Sequence, residues 1–397
     1  MSPPSKPQPL LLFLHIPKTA GTSVMDFLVN RFPAGQFHHI GLEWADFPPK
    51  FLPPQLTGCL AGHVAYRNVM KYLPDDTRVF TVLRDPIERS FSAYSFYHNI
   101  PREELARYSP HLLPIQDLSM KEFIENHPVV ARRVFGNSMT THLAREYLQR
   151  HDWVPRPVDR YDCEIAKRNL SRCVVGLTEH LHDSLVMLSQ EYGWVPPDRV
   201  SESNRSPKKS KSYDPEVLAW LQESTAHDIE LYDYGRKLFQ EQWKRHCERE
   251  PLTTAGLPLV EQYCLNFEKP IPGYGWHRRE HLGGVSFCHS DSRAWLSCPP
   301  VAGSRLKVEI ETISLLPPEH QSPLELRING TPVQVTPVER ELGRCYLGEL
   351  DLQQPSTEPI RLDFHIPRAV RPCDVIPGSE DKRLLGLAFK EVRVRAA

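Results

Sequence analysis

The feature that most constrains the fold is an apolar run near the amino terminus that leads at once into a loop and a helix. Residues 10–16 form this run, which is short and ends at Pro17, and the pattern predicts a strand buried on both faces of a parallel sheet. Beyond the loop, apolar side chains recur at helical spacing at Val24, Phe27, Leu28 and Phe32. The sequence therefore predicts a strand, a tight loop and a helix in an α/β protein.

The loop between that strand and helix carries groups that bind phosphate. A chain that turns from a strand into a helix directs several backbone N–H groups, and the positive end of the helix dipole, at one point. The loop adds a positive charge and hydroxyl donors, so we predict a phosphate site formed by Lys18, Thr19, Ala20, Gly21, Thr22 and Ser23. The pattern GxxxxGK[ST] is absent, which argues against a nucleoside-triphosphatase loop. The alternative is an ordinary Gly-Thr-Ser turn with a solvated lysine.

A second element of the same kind follows further along the chain. Residues 78–83 predict another buried strand, with Arg84 at its end. Asp85 and Pro86 then form a capped helix start. Arg84 and Ser92, which lies two turns into the helix, would both reach one phosphate, the arginine with two hydrogen bonds. The alternative is that Asp85 and Pro86 serve only to start the helix and that Ser92 is only a small packing residue.

Together, the two elements resemble the phosphate-binding elements of sulfotransferases that use 3'-phosphoadenosine 5'-phosphosulfate (PAPS), in kind and in order. Further blocks are similar to the uronosyl and heparan sulfate 2-O-sulfotransferase group, which is sulfotransferase family 2. These blocks are AGHV at 61–64, GNSMT at 136–140, VVGLTEHL at 174–181, SNRSPKKS at 203–210 and HDIELYDYGRKLF at 227–239. The resemblance covers about residues 9–246, and the two phosphate elements are its most specific part.

The resemblance implies a fold, a donor and an acceptor. The fold would be a P-loop-like parallel sheet flanked by helices. PAPS would be the sulfuryl donor, no metal would be needed, and the acceptor would be a carbohydrate hydroxyl on a glycan, a polysaccharide or a glycolipid. In the basic block, Ser206 and Lys208 would bind the cofactor by closing over its 3'-phosphate, with Arg205, Lys209 and Lys211 beside them. A solvated basic loop is the alternative.

Sulfuryl transfer to a hydroxyl needs a base for the acceptor's proton and positive charge on the leaving-group side. The resemblance assigns these catalytic roles to His63 and Lys18, and a neutral imidazole is available near pH 7. This sequence departs from the family's HGHV pattern, because Ala61 occupies the place of the first histidine. The alternative for His63 is a histidine satisfied inside its loop. Reserve bases are Glu43, His38 and His39, and an anionic acceptor would be held by Arg132 and Arg133.

The pattern changes in the last third of the chain. Segments such as LKVEIETI and IRLDFHI alternate apolar and polar residues, and Asn329-Gly330 predicts a hairpin turn. The pattern predicts an all-β region, and GYGWHRRE, the Asn329-Gly330 turn and DKRLLGLAFKEVRV resemble an accessory β-sandwich attached to bacterial glycan-modifying transferases. We therefore predict a disordered tail at 1–8 and a sulfotransferase domain at 9–250 that ends in one long helix from Pro215 to about His246. For 251–397 the resemblance implies an accessory β-sandwich. Exposed Trp276 or Trp295 could hold sugar rings, although packing in the sandwich core is the interpretation we favour.

Composition limits the partners. A net charge of -1 argues against a nucleic-acid binder, so any anion site must be local. The nine cysteines are scattered without a CxxC pair, which predicts reduced thiols rather than disulfides or a zinc site. Because no stretch approaches the roughly 20 apolar residues of a membrane span, we expect a soluble, cytoplasmic protein. The group that the sequence resembles has an N-terminal anchor, and its expected absence here implies a soluble member of bacterial type.

These observations lead to one main prediction and two alternatives. The main prediction is a two-domain sulfotransferase that uses PAPS to sulfate a carbohydrate. The first alternative is a small-molecule kinase with a P-loop-like fold, which the lack of a Walker pattern disfavours. The second is a glycan-binding protein whose sulfotransferase domain is inactive, and the intact Lys18, His63, Arg84 and Ser92 argue against it.

Overall fold

The computed structural model describes residues 8–40, 56–146, 156–198, 213–248, 259–316 and 322–397. By its internal contacts the chain divides into two compact units. The first comprises Met1–Val24, His38–Leu188 and Val200–Arg249, and the second comprises Met25–Phe37, Ser189–Arg199 and Glu250–Ala397. The second unit thus joins two short segments of the N-terminal half to the C-terminal region. Whether residues 9–250 and 251–397 fold independently remains a prediction.

The first unit is built around a five-stranded sheet. Its strands are β1 (Leu11–Leu14), β2 (Phe37–Ile40), β3 (Cys59–Gly62), β4 (Arg78–Leu83) and β5 (Cys173–Leu177). Their spatial order is β2-β3-β1-β4-β5. Strand β1 pairs in parallel with both β3 and β4, and β4 pairs in parallel with β5. All four residues of β1 are fully buried, which is why this strand is a continuous apolar run. The predicted parallel α/β sheet is confirmed.

Eleven helices precede the C-terminal strands within the described residues. They are α1 (Gly21–Val29), α2 (Tyr66–Met70), α3 (Pro86–Asn99), α4 (Arg102–Tyr108), α5 (Met120–Asn126), α6 (Pro128–Phe135), α7 (Ser138–Ala144), α8 (Arg160–Leu170), α9 (Leu181–Tyr192), α10 (Pro215–Ser224) and α11 (Ala226–Glu248). Helix α3 starts as predicted, with the Asp85 side chain accepting a hydrogen bond from the Glu88 N–H. No helix in the described part of the chain is long and apolar enough to cross a membrane.

The prediction of one long helix from Pro215 to about His246 is wrong, because the chain breaks between α10 and α11 at Thr225. The hydroxyls of Ser224 and Thr225 donate to the carbonyl oxygens of Trp220 and Leu221, one turn back. Such bonds compete with the helical ladder and bend helices. The pattern of apolar residues continues across the break, so periodicity did not reveal it.

Helices α7 and α11 cap each other. The buried Asp228 carboxylate of α11 accepts from the backbone N–H groups of Met139 (3.0 Å) and Thr140 (2.7 Å), which are unpaired donors at the start of α7. In return, Asn137 Oδ1 accepts from the Asp228 N–H at 2.9 Å. The GNSMT block therefore has a structural role, because it locks α7 to α11 in a fixed position beside the sheet.

The C-terminal region is a ten-stranded antiparallel sheet, so the predicted all-β character is confirmed. Its strands are β6 (Gln262–Asn266), β7 (Gly273–Leu282), β8 (Val285–Cys298), β9 (Arg305–Ile313), β10 (Glu325–Ile328), β11 (Thr331–Val333), β12 (Val335–Arg340), β13 (Gly343–Asp351), β14 (Ile360–His365) and β15 (Ala388–Ala396), with the short helix α12 (Pro372–Val375) before the last. Asn329 and Gly330 have φ values of 47° and 80° and form the predicted turn between β10 and β11.

The aromatic core of this second unit explains two further features. Trp276 is only 7% exposed and packs against Phe364 and Phe389, which confirms core packing rather than an exposed sugar platform. The segment Met25–Phe37 is held by the same unit, because Asn30 Nδ2 donates to the carbonyl oxygens of Trp276 (3.0 Å) and His277 (2.9 Å). The second half of α1 is therefore tied to the C-terminal region.

Candidate functional site

The parallel sheet brings the predicted site elements to one edge. The loop 15–20 follows β1, His63 follows β3, and Arg84 follows β4. Since these strands are parallel neighbours, the residues after them meet at the carboxyl edge, which is the usual ligand edge of such sheets. Arg84 Nη1 donates to the Lys18 carbonyl oxygen at 3.3 Å. The two predicted phosphate elements are thus in direct contact.

The loop after β1 has an unusual backbone. Lys18 and Ala20 have φ values of 71° and 63°, a left-handed conformation that residues with a side chain adopt at a cost. The buried Thr19 hydroxyl donates to the Ile16 carbonyl oxygen at 2.8 Å, so it holds the loop together. This hydroxyl is therefore used inside the loop, which leaves the backbone N–H groups and the start of α1 as the predicted donors for an anion.

Lys18 carries the positive charge of this loop. Its Nζ lies 3.9 Å from the centroid of the Phe96 ring on α3. Burial, and to a smaller extent the nearby Arg84, lowers the pKa of Lys18 to about 8. The amine is therefore charged at neutral pH but poorly solvated, which favours an anionic ligand. Sequence reasoning missed Phe96, although its place one helical turn after Ser92 was a usable signal.

Arg84 and its neighbours on α3 form the second phosphate element. Arg84 Nη2 lies 3.9 Å from Glu88 Oε2, and Ser92 lies half-buried on α3. Glu88 also accepts from the Tyr213 hydroxyl at 2.7 Å, and the Tyr213 ring stacks on Phe91. Tyr213 lies three residues after the basic block at 203–210 in the sequence. The predicted Ser206 and Lys208 themselves lie outside the described residues.

Two of the resembling blocks hold Arg84 in place. Glu179, in the block VVGLTEHL, accepts from the Asp85 N–H at 3.1 Å and from the Tyr232 hydroxyl at 3.0 Å. The Thr178 hydroxyl donates to the Leu83 carbonyl oxygen at 3.1 Å. Tyr232 belongs to the block HDIELYDYGRKLF. These blocks therefore fix the end of β4, and so the position from which the arginine extends.

His63 has a defined tautomer. Its Nδ1 lies 2.8 Å from the His15 carbonyl oxygen. A carbonyl oxygen can only accept, so Nδ1 must carry the proton and the neutral ring keeps its lone pair on Nε2. Burial lowers the pKa of His63, which keeps the ring neutral near pH 7. The arrangement is that of a general base rather than of a fixed positive charge.

Two further histidines lie near His63, and sequence reasoning did not select them. The His15 ring stacks on the His63 ring, with centroids 4.0 Å apart. His142 is buried on α7, where its Nδ1 donates to the Ser138 carbonyl oxygen at 2.7 Å, and burial lowers its pKa to about 4. His142 follows the GNSMT block by two residues and His15 precedes the phosphate loop, so their positions beside these motifs were the available signals.

The remaining predicted residues are placed as follows. Glu43 lies outside the described residues. His38 and His39 lie on β2, and a charge on His39 would lower the pKa of His63. Arg132 is exposed on α6 and forms an ion pair with Glu223 at 3.1 Å, and Arg133 is exposed beside it. No contact connects these two arginines to the phosphate loop among the interactions that the described residues provide.

One group of side chains in the described ranges could hold a metal ion. Cys163, His227 and Glu230 place their ligand atoms within 4.8 Å of one another. However, the Lys167 ammonium lies 2.5 Å from Glu230 Oε1, so a positive charge already occupies this carboxylate. Burial also raises the pKa of the Cys163 thiol to about 11, which disfavours a thiolate ligand. The group contains none of the residues at the sheet edge.

The fold and this edge define an α/β protein with a loop predicted to bind an anion and a neutral histidine beside it. The chain is similar to galactose-3-O-sulfotransferase 2 of Homo sapiens, at 25% identity over 248 residues, 56% of this chain and 58% of the relative. For the protein of the same name from Sus scrofa the identity is 24% over 263 residues, 59% of this chain and 61% of the relative. The chain thus spans about three fifths of these relatives.

A solved structure, a sulfotransferase from Alicyclobacillus acidocaldarius, matches at 18% identity and a TM-score of 0.32, covering 61% of this chain and 100% of that one. No protein-family model matches the chain. The curated relatives support the predicted resemblance to sulfotransferases. The narrower uronosyl and heparan sulfate grouping remains a prediction.

Proposed function

We propose that this protein is a sulfotransferase that moves a sulfuryl group from PAPS to a hydroxyl of a carbohydrate. The observation that carries the proposal is the contact between the loop around Lys18 and Arg84, with His63 in its Nδ1–H form at the same sheet edge. The similarity to galactose-3-O-sulfotransferase 2 supports the reaction class. Since only part of each relative is matched, the activity of the whole protein is part of the proposal.

The residues at this edge fit a nucleotide with two phosphate groups. The 5'-phosphosulfate would bind the backbone N–H groups of the loop and the start of α1, with Lys18 over it. The 3'-phosphate would bind Arg84 and Ser92. Arg84 also contacts the loop, through its hydrogen bond to the Lys18 carbonyl oxygen. Ser206 and Lys208 would close over that phosphate, and this part of the proposal is supported by Tyr213, a few residues further on, which contacts Glu88 and Phe91 on α3. No metal is part of this arrangement.

The same geometry supports a direct transfer. His63 Nε2 would take the proton of the acceptor hydroxyl as its oxygen attacks sulfur. The bond between sulfur and the bridging phosphate oxygen breaks, and the electron pair stays on that phosphate oxygen. Lys18, with its low solvation, would stabilise the developing charge, and by analogy with phosphoryl transfer most of the rate comes from positioning and electrostatics.

The acceptor and the C-terminal region complete the proposal. The relatives are named galactose-3-O-sulfotransferases, which favours galactose as acceptor, whereas the sequence blocks resemble a group that acts on uronate-containing glycans. We interpret the C-terminal sheet as a β-sandwich, in which Trp276 packs the core and therefore does not bind sugar. A cytoplasmic location remains a prediction.

An acceptor screen with radiolabelled PAPS tests the function. Galactosides, uronate-containing polysaccharides and glycolipids are offered in parallel, and we expect labelled sulfate on one carbohydrate class. A His63→Ala variant with unchanged nucleotide binding serves as the background control. Binding of 3'-phosphoadenosine 5'-phosphate without transfer to any acceptor would favour an inactive, glycan-binding protein. Stabilisation by ATP with magnesium, but not by that nucleotide, would favour the kinase.

A further inference from the structure

His15 lies between the phosphate loop and the proposed base. On one side its ring stacks on the His63 ring, at a centroid distance of 4.0 Å and an interplanar angle of 30°. On another side it stacks on Phe13, at 5.3 Å and 13°. It also lies against the backbone of Gly21, because a Cβ atom at Gly21 would stand 1.5 Å from His15 Nε2 and 2.1 Å from its two neighbouring carbons. The ring thus fills the space between His63 and the first residue of α1.

We propose that His15 is a positioning residue that sets the distance between the start of α1 and the imidazole of His63. Its ring acts as a spacer, and its carbonyl oxygen fixes the tautomer of His63. This inference rests on the proposed function, in which the donor binds at the start of α1 and His63 takes the acceptor's proton. The spacer then controls where the base stands relative to the sulfuryl group, a distance on which transfer depends steeply.

The geometry assigns His15 a packing role rather than a proton-transfer role. Its Nε2 lies against the Gly21 backbone, and Gly21 can have no side chain while the ring is in this position. Burial, and then the neighbouring His63, lowers the pKa of His15 to about 2, so the ring stays neutral. A neutral ring of this shape can be replaced by another flat ring, whereas a catalytic imidazole cannot.

The titratable groups around the pair come from every neighbouring element. His39 on β2, His142 on α7 and Lys18 in the loop would each, when charged, lower the pKa of His15. His39 and Lys18 also lower the pKa of His63, in which burial is the largest cause. If the His15 ring is removed, His63 becomes better solvated while its hydrogen bond to the backbone remains. Its pKa should therefore rise toward its ordinary value of roughly 6.5.

The test compares His15→Phe, which keeps a flat ring, with His15→Ala, which removes it, in the full chain. For His15→Ala we expect turnover to fall by roughly 10²-fold and the acid limb of kcat/KM to move to higher pH. Calorimetry with 3'-phosphoadenosine 5'-phosphate should show nearly unchanged affinity. His15→Phe should keep most of the turnover and the wild-type acid limb. A purely structural role would lower the melting temperature but leave the acid limb where it was.

Two further measurements test the proposal, and the first of them does not need His15→Ala, so the proposal stays testable if that variant fails to fold. Nitrogen-15 NMR of the wild-type protein should show His63 with its proton on Nδ1, and the same should hold in His15→Phe. Gly21→Ala should be strongly impaired by contact with the ring, and adding His15→Ala should relieve part of the loss in melting temperature.

The proposal is overturned by a proton on Nε2 of His63, by wild-type turnover and pH profile in His15→Ala, or by equal damage in the two His15 variants. Failure of the proposed function has a different signature. In that case the wild-type protein neither binds the nucleotide nor transfers sulfate, while the NMR tautomer and the coupling of Gly21 to His15 can still be as expected.

Discussion

The Arg84→Ala substitution gives the sharpest test of how the donor is bound. In the free protein, Arg84 makes one hydrogen bond to the Lys18 carbonyl oxygen and lies 3.9 Å from Glu88. In the proposed complex it also binds the 3'-phosphate of the nucleotide. Removing Arg84 should therefore weaken nucleotide binding in two ways, by loosening the loop and by losing the contact to the 3'-phosphate. The two losses of binding free energy can be measured separately.

The magnitudes follow from the kinds of contact. A charge-assisted contact to the 3'-phosphate contributes about 1.5 to 3 kcal/mol, whereas the bond to the Lys18 carbonyl oxygen contributes about 0.5 to 1.5 kcal/mol. Adenosine 5'-phosphate lacks the 3'-phosphate, so Arg84→Ala should weaken its binding only through the loop. The 3'-phosphate should therefore improve affinity about ten- to hundred-fold more in the wild type than in Arg84→Ala.

Calorimetry with both nucleotides on both proteins measures this difference directly. Arg102→Ala is a matched control, because Arg102 is an exposed arginine on α4 whose ion pair is with Asp117. Arg102→Ala should leave the affinity for both nucleotides nearly unchanged, because salt screens the effect of a distant surface charge. If the 3'-phosphate improves binding equally in wild type and Arg84→Ala, Arg84 does not read that phosphate, and the proposed donor orientation is wrong.

Four further predictions concern the base, the loop, the α7 cap and the domain boundary. His63→Ala should keep nucleotide affinity but lower turnover by roughly 10² to 10⁴, and the acid limb of the pH profile should disappear from the remaining rate. Because Lys18 has a pKa of about 8 and loses its charge as pH rises, kcat/KM for PAPS should fall above about pH 8, and Lys18→Ala should lack that limb. Asp228→Ala removes two hydrogen bonds that the buried carboxylate accepts from backbone N–H groups at the start of α7, so urea unfolding should show a loss of about 3 to 5 kcal/mol. A chain ending at Glu250 should fold and bind 3'-phosphoadenosine 5'-phosphate, but with a lower melting temperature, since Asn30 loses its partners in the C-terminal unit.

Each of these has an outcome that contradicts it. Near-normal turnover in His63→Ala would place the base elsewhere. A basic limb that persists in Lys18→Ala would belong to another group. Stability within about 1 kcal/mol of wild type in Asp228→Ala would show that the cap contributes little. An insoluble chain ending at Glu250 would show that the two regions share a core.

Local patterns in the sequence were sufficient to predict individual strands, helix starts and turns. The apolar run before Pro17 is β1, Asp85 and Pro86 start α3, and Asn329-Gly330 is a hairpin turn. Each depends on neighbours within one helical turn or one hairpin, where the chain's own steric and hydrogen-bonding preferences decide. The break at Thr225 was missed because side-chain bonds to the preceding turn changed the helix without changing its apolar pattern.

The site, in contrast, depends on which strands are neighbours. Lys18 contacts Arg84, and His15 stacks on His63, only because β1 lies between β3 and β4. Strand order comes from the packing of the whole sheet, and no local periodicity encodes it. The sequence alone therefore determined a strand, loop and helix at the predicted phosphate site, an arginine directly before a capped helix, and an all-β C-terminal region. Only the tertiary structure decided that His63 carries its proton on Nδ1, because its partner, the His15 carbonyl oxygen, is 48 residues away in the chain. It also decided that Gly21 must lack a side chain, because the path of the loop places the His15 ring against the start of α1.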